Sequence, residues 1–138
     1  GARTAAPEGC GITTAAVQLK DGDSLSFGAE RIKALHTPGH TAGSMCYLWR
    51  DHVFTGDTLL VNGCGRTDFQ SGSAEALYRS ITQVLFALPD ATRVFVCHDY
   101  APGGRELRHE TSLGAGKAGN SHVGGGKPQL VSLTASRK

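Results

Sequence analysis

The stretch "SAEALYRSITQVLFALPDATRVFVCHDY", Ser73 to Tyr100, decides the fold class. Leu77, Ile81, Val84, Leu85 and Leu88 recur at i, i+4, i+7, i+8 and i+11, which is one face of an α-helix. Ser73 is placed to cap it, Glu75 suits its first turn, and Pro89 stops it. "TRVFVCHDY" then reads as a buried strand, an apolar run that ends in polar residues.

Working back from Ser73, "SMCYLWR" (44–50) and "HVFTGD" (52–57) are strongly apolar. The short Arg50-Asp51 link predicts that they pair antiparallel. "RIKALHT" (31–37) alternates weakly as a strand. "AAVQLKDGDSLSFG" (15–28) predicts two short strands joined as a hairpin at Asp21-Gly22-Asp23. Residues 1–14 have no period and read as loop. Beyond Tyr100, six of the thirteen residues from Gly114 to Gly126 are glycine, which predicts loop or disorder. "PQLVSLTASRK" at the end is short enough for one small helix. Strands, then a helix, then a buried strand make an α/β layer arrangement, with polar residues gathered at strand ends.

The 138 residues suit one domain with a real core. Fourteen basic against twelve acidic residues, without blocks of one sign, give no reason to expect nucleic acid or an acidic membrane as partner. The apolar runs are too short to span a bilayer. Cys10, Cys46, Cys64 and Cys97 include no C-x-x-C pair, so neither a zinc ribbon nor a thioredoxin-type site is expected. Cys46 and Cys97 sit in apolar runs and read as small buried hydrophobes. This usage points to a reducing compartment, and we expect a soluble, cytoplasmic protein.

Three apolar runs each end in a metal-ligand type: "RIKALHTPGH" in His40, "HVFTGD" in Asp57, and "TRVFVCHD" in His98. A sheet that delivers His, Asp and His to one edge is a way of building a metal site. Imidazole and carboxylate donors suit Zn or Fe(II). A strand-end His or Asp taken singly is more often a cap or a solvated group. "GCGRTDFQSG" (63–72) brackets Cys64 with glycines and sets Arg66 beside it, a pattern that suits a carboxylate or phosphate clamp. It also reads as an ordinary surface turn. No base can be assigned to Cys64 as a nucleophile. Tyr100 follows His98 by two and could donate a hydrogen bond near it. His36, His52, His109 and His122 read as structural or surface residues, and Asp68 as a turn former.

"TPGHT", "FTGD", "GCGRTDF" and "CHDY", in this order, resemble the second half of the metallo-β-lactamase superfamily. They look most like its persulfide dioxygenases (ETHE1-like sulfur dioxygenases). "GCGR" is shared with glyoxalase II hydrolases. The resemblance covers about Asp21 to Tyr100, and "HVGGG" (122–126) extends it weakly. It implies an αββα sandwich, of which this α/β (α+β) chain holds the C-terminal half. It implies a mononuclear Fe(II) held by two His and one Asp, with His40 and Asp57 matching two of them. His98 matches a histidine that ligates metal in dinuclear relatives; in the dioxygenases it lies beside the iron, at the second site or in the second shell. Arg66 and Tyr100 match positions tied to binding the glutathione part of the substrate. The implied reaction oxidises glutathione persulfide, or a related small thiol substrate, with O₂ to sulfite. A homodimer is also implied.

The superfamily's H-x-H-x-D-H motif, which supplies the second iron histidine, does not occur in this sequence, and "HTPGH" differs from it in spacing and place. We therefore expect a partial metallo-β-lactamase-like domain over 1–113 and a Gly-rich tail over 114–138, the remaining half lying N-terminal to Gly1. Half a sandwich would leave a broad apolar sheet face uncovered. Two other readings stand beside this one. The first is a glyoxalase II-like thioesterase, with zinc as the metal. The second is a truncated, non-catalytic fragment that binds metal or thiol.

Overall fold

The structure, a computed structural model, describes residues 1–69, 71–124, 126 and 130. Six strands form one mixed sheet in chain order: β3 (Ser24–Phe27), β4 (Glu30–His36), β5 (Met45–Trp49), β6 (His52–Gly56), β7 (Arg93–Val96) and β8 (Glu110–Ser112). All neighbours run antiparallel except β6 and β7. A parallel pair needs a crossover, and helix α1 (Ala74–Arg79) supplies it. As expected, β5 and β6 turn at Arg50-Asp51, with Trp49 opposite His52.

Ser73 caps α1 by accepting from the Ala76 amide. The helix continues as a wider π-helical turn over Ser80–Leu85, where the Phe86 amide donates to the Ile81 carbonyl. Leu77, Ile81 and Leu85 are fully buried. They pack on Cys46, Val53 and Val94 of the sheet, so the helix sits on one sheet face. The opposite face carries a stacked row of Trp49, His52, Phe95 and Phe54, with ring centroids 5.3–5.5 Å apart. Phe54 and Phe27 on that side stay exposed. One sheet with its helix on one face and aromatic groups on the other is half of an αββα sandwich, in keeping with the α/β (α+β) expectation.

Three expectations need correction. Residues 1–14 are not all loop: β1 (Ala5–Pro7) pairs in parallel with β2 (Val17–Leu19). The Asp21-Gly22-Asp23 turn forms, but β2 and β3 do not pair across it. Its groups bond instead to β4, with the Gly22 amide donating to the Ala34 carbonyl and the Ala34 amide to the Asp23 carbonyl. The hairpin is β3–β4, closed at Gly28-Ala29. The Gly-rich stretch from 114 is helical rather than loop: Leu113–Gly119 forms α2 and Ser121–Gly124 forms α3. Tertiary anchors override the poor helix propensity of glycine. Ser112 caps α2 by accepting from the Ala115 amide, and Leu113 is fully buried. Asn120 is also buried, and its Nδ2 donates to the Gly63 carbonyl at 3.0 Å. The short helix expected near the end falls outside the described residues, except for Leu130, which is buried in the core.

Candidate metal centre

The site forms where β4, β6 and β7 stop. β4 ends at His36, and the Thr37-Pro38-Gly39 turn delivers His40. Gly39 is required there: it has φ +146°, and a Cβ would lie 2.3 Å from the Leu77 Cα. The Gly39 carbonyl accepts from the Ser73 amide, and the Pro38 carbonyl accepts from the Ser80 hydroxyl, which fixes the turn to the helix. β6 ends at Gly56, with φ +51°, and presents Asp57. β7 ends at Val96, and His98 follows just beyond the bend at Cys97.

His40, Asp57 and His98 come together. His40 Nε2 lies 3.5 Å from Asp57 Oδ2, and His98 Nε2 lies 2.5 Å from Asp57 Oδ1. Each oxygen of one carboxylate therefore faces one imidazole. His40 Nδ1 lies 2.7 Å from the Arg66 carbonyl. A carbonyl only accepts, so Nδ1 carries a proton there, and in the neutral ring Nε2 presents a lone pair to Asp57. That geometry leaves a position between ring and carboxylate that a cation can fill, and fixing Nδ1 on a carbonyl is the usual way to orient a metal-bound histidine. The donor set thus fits a metal ion.

Gly65 wedges this arrangement. Its amide donates to the Asp57 carbonyl at 2.7 Å, and a Cβ on it would lie 2.4 Å from that oxygen and 2.9 Å from His40 Nδ1. Arg66 grips Asp68 with two hydrogen bonds, at 2.7 and 3.0 Å, and its guanidinium lies 5.5 Å from the Phe69 ring centre. Asp68 holds the Arg66 guanidinium above its ordinary pKa, and Tyr100 adds to this electrostatically. Arg66 and Tyr100 thus share one neighbourhood. Tyr100 is exposed and packs edge-on against His98 at 4.7 Å. It also lines a cleft of about 280 Å³ with Val61, Gly63, Asp99 and His122. His40 and Asp57 do not line this cleft, whereas Asp99 and Tyr100, which follow His98, do.

Two contributors went unread in the sequence. Cys97, expected to be a buried hydrophobe, is exposed, and its Sγ donates to Asp57 Oδ1 at 3.4 Å. Partial desolvation of the thiol, then the Asp57 charge, push it up to about 11. β7 stops at Val96, so Cys97 lies in the bend beyond the apolar strand rather than within it; its adjacency to His98 was the available signal. Asp99 is the second. It accepts from both Nη atoms of Arg105 at 2.6 Å and from the Arg108 and Ala101 amides, which locks the segment bearing His98 and Tyr100. Arg105 holds the Asp99 carboxyl well below the usual carboxylate range. Cys64 is buried in the core, where a nucleophile would be out of reach. His36 braces the turn through the Ala42 carbonyl.

A mixed sheet that carries His, Asp and His to one edge, with glycines fitted beneath them, is an arrangement of metallohydrolase-type proteins. The family model described as "Metallo-beta-lactamase superfamily" matches residues 12–98, and the chain belongs to that superfamily. It is 46% identical over 84 residues to "Persulfide dioxygenase ETHE1, mitochondrial" of Bos taurus, covering 59% of this chain and 33% of that protein. It is 42% identical over 117 residues to the "Probable metallo-hydrolase" of Burkholderia pseudomallei, covering 76% of this chain and 40% of that one. The crystal structure of ETHE1 from Myxococcus xanthus superposes with a TM-score of 0.89 at 43% identity, covering 98% of this chain and 58% of that chain. The chain therefore spans less than two thirds of the length of these relatives.

Proposed function

We propose that this chain is the C-terminal part of a glutathione persulfide dioxygenase, with His40 and Asp57 as ligands of a mononuclear Fe(II). The observation that carries the reading is the single Asp57 carboxylate set against His40, with His40 Nδ1 anchored on the Arg66 carbonyl. The identity shared with proteins named persulfide dioxygenase supports the choice of reaction. An iron with open positions supplies the chemistry that joins O₂ to a persulfide sulfur. The chain's own residues hold and orient. Asp57 and the Arg66 carbonyl fix the His40 ring. Gly65 keeps the carboxylate and the ring in contact by having no side chain. Arg66 and Tyr100 receive the glutathione part: the guanidinium pairs with a carboxylate once it exchanges Asp68 for substrate, and the phenol offers a hydrogen bond beside the cleft. The third protein ligand to iron comes from residues outside these 138. The reading includes a small thiol substrate and a cytoplasmic setting.

A second reading rests on one observation. His98 Nε2 sits against the other oxygen of Asp57, as it would if two metals shared that carboxylate in a zinc thioesterase of glyoxalase II type. To separate the two readings, the full-length protein is loaded with Fe(II) and given glutathione persulfide. The dioxygenase reading expects O₂ uptake that His40→Ala abolishes. Uptake no greater than in that variant, with hydrolysis of a glutathione thioester in its place, rejects it.

A further inference from the structure

Cys97 and His98 are neighbours in sequence, yet both reach the same carboxylate. In an extended strand, adjacent side chains point to opposite faces, so this needs a break in the strand. The break is present: β7 ends at Val96, and Cys97 lies in the bend that follows. Asp99, held by Arg105 and two amides, pins the far side of the bend. As a result Asp57, Cys97 and His98 bring one oxygen, one sulfur and one nitrogen within 4.8 Å of one another.

We infer that Cys97 is a metal ligand, completing with Asp57 and His98 an O/S/N site for a thiophilic divalent cation of the zinc class. Donors at 2.0–2.3 Å from a tetrahedral ion lie about 3.5 Å apart. The Cys97 Sγ to Asp57 Oδ1 separation of 3.4 Å already has that value. The His98 to Asp57 contact is shorter, at 2.5 Å, and opens by about 1 Å when an ion replaces the shared hydrogen. Thiolate with imidazole and carboxylate selects zinc-class ions over magnesium or calcium. Binding releases the thiol proton to solvent, since a coordinating thiol is deprotonated. The inference rests on Asp57 being a metal ligand, as proposed above. It adds a sulfur donor and a second position beside that of His40.

The test is a Co(II) titration of the full chain under reducing, anaerobic conditions, followed by the near-ultraviolet thiolate-to-cobalt charge-transfer band. The band appears in the wild type and in His40→Ala, and is lost in Cys97→Ser, whose Co(II) binding weakens by about tenfold or more; even partners outside the ligand set contribute that much. Zn(II) abolishes the band by competition and Mg(II) does not. Cobalt that binds without a band, or a band that survives in Cys97→Ser, overturns the sulfur ligand and leaves the His40–Asp57 reading intact. No cobalt bound by the wild type overturns both. A measurement that needs no variant is alkylation of Cys97 read by mass spectrometry: bound Zn(II) slows it at least tenfold, and an unchanged rate with zinc bound overturns the inference.

Discussion

Replacing Gly65 with Ala asks whether the metal centre is held together by the absence of a side chain. The Cβ would meet the Asp57 carbonyl oxygen at 2.4 Å, His40 Nδ1 at 2.9 Å and the Asp57 Cβ at 3.0 Å. The first of these is backbone and cannot rotate away, so Asp57 and His40 must move apart. Overpacking of this kind costs about 1–3 kcal/mol. With an unfolding entropy of about 2.1 cal/mol/K per residue, a chain of 138 residues loses about 3–10 °C in Tm. Gly22→Ala is the matched control: Gly22 has φ +82° and nothing within 4 Å of its Cβ. It carries only the left-handed backbone cost of about 1–2 kcal/mol. Calorimetry measures both, and metal titration separates them. Gly65→Ala weakens metal binding as well as lowering Tm, whereas Gly22→Ala lowers Tm alone. A Gly65→Ala protein with wild-type Tm and wild-type metal affinity would refute the reasoning.

Two further expectations concern Asp99 and Cys46. The Asp99 carboxyl is depressed by Arg105, so its stabilisation is present above the ordinary Asp pKa of about 3.9 and is lost as pH falls below it. The Tm gap between wild type and Asp99→Asn should be constant from neutral pH down to about 5 and narrow below about 4; a gap that holds or widens on acidification contradicts the pairing. Cys46 is fully buried between Thr37 and Thr55, and burial pushes its thiol up to about 11. A thiol reagent at neutral pH should label exposed Cys10 at once and Cys46 only through unfolding; equal rates in the native protein would show that this core is open.

The sequence revealed most where one element decided the outcome alone. Leu77, Ile81 and Leu85 marked the helix face, and Ser73 its start, because a 3.6-residue period and a cap are local facts. The candidate ligands beyond β4, β6 and β7 could be named for the same reason: each apolar run gives way to polar residues there. What failed was decided at long range. Asp21-Gly22-Asp23 formed its turn, but β4 offered its ladder to β3 and left β2 to β1. The glycines after Leu113 joined a helix because Leu113 and Asn120 are anchored far away in sequence. Cys97 was misread because the apolar run outlasts the strand: β7 stops at Val96 and leaves Cys97 in the bend beyond it.

The central claim is that one carboxylate, Asp57, is the hub of a metal centre, and it is tested most directly by iron content. The full-length protein and its Asp57→Ala variant are reconstituted anaerobically with Fe(II), desalted and analysed for metal. The account predicts stoichiometric iron in the wild type and almost none in the variant at unchanged secondary structure. Equal iron in the two proteins would contradict it.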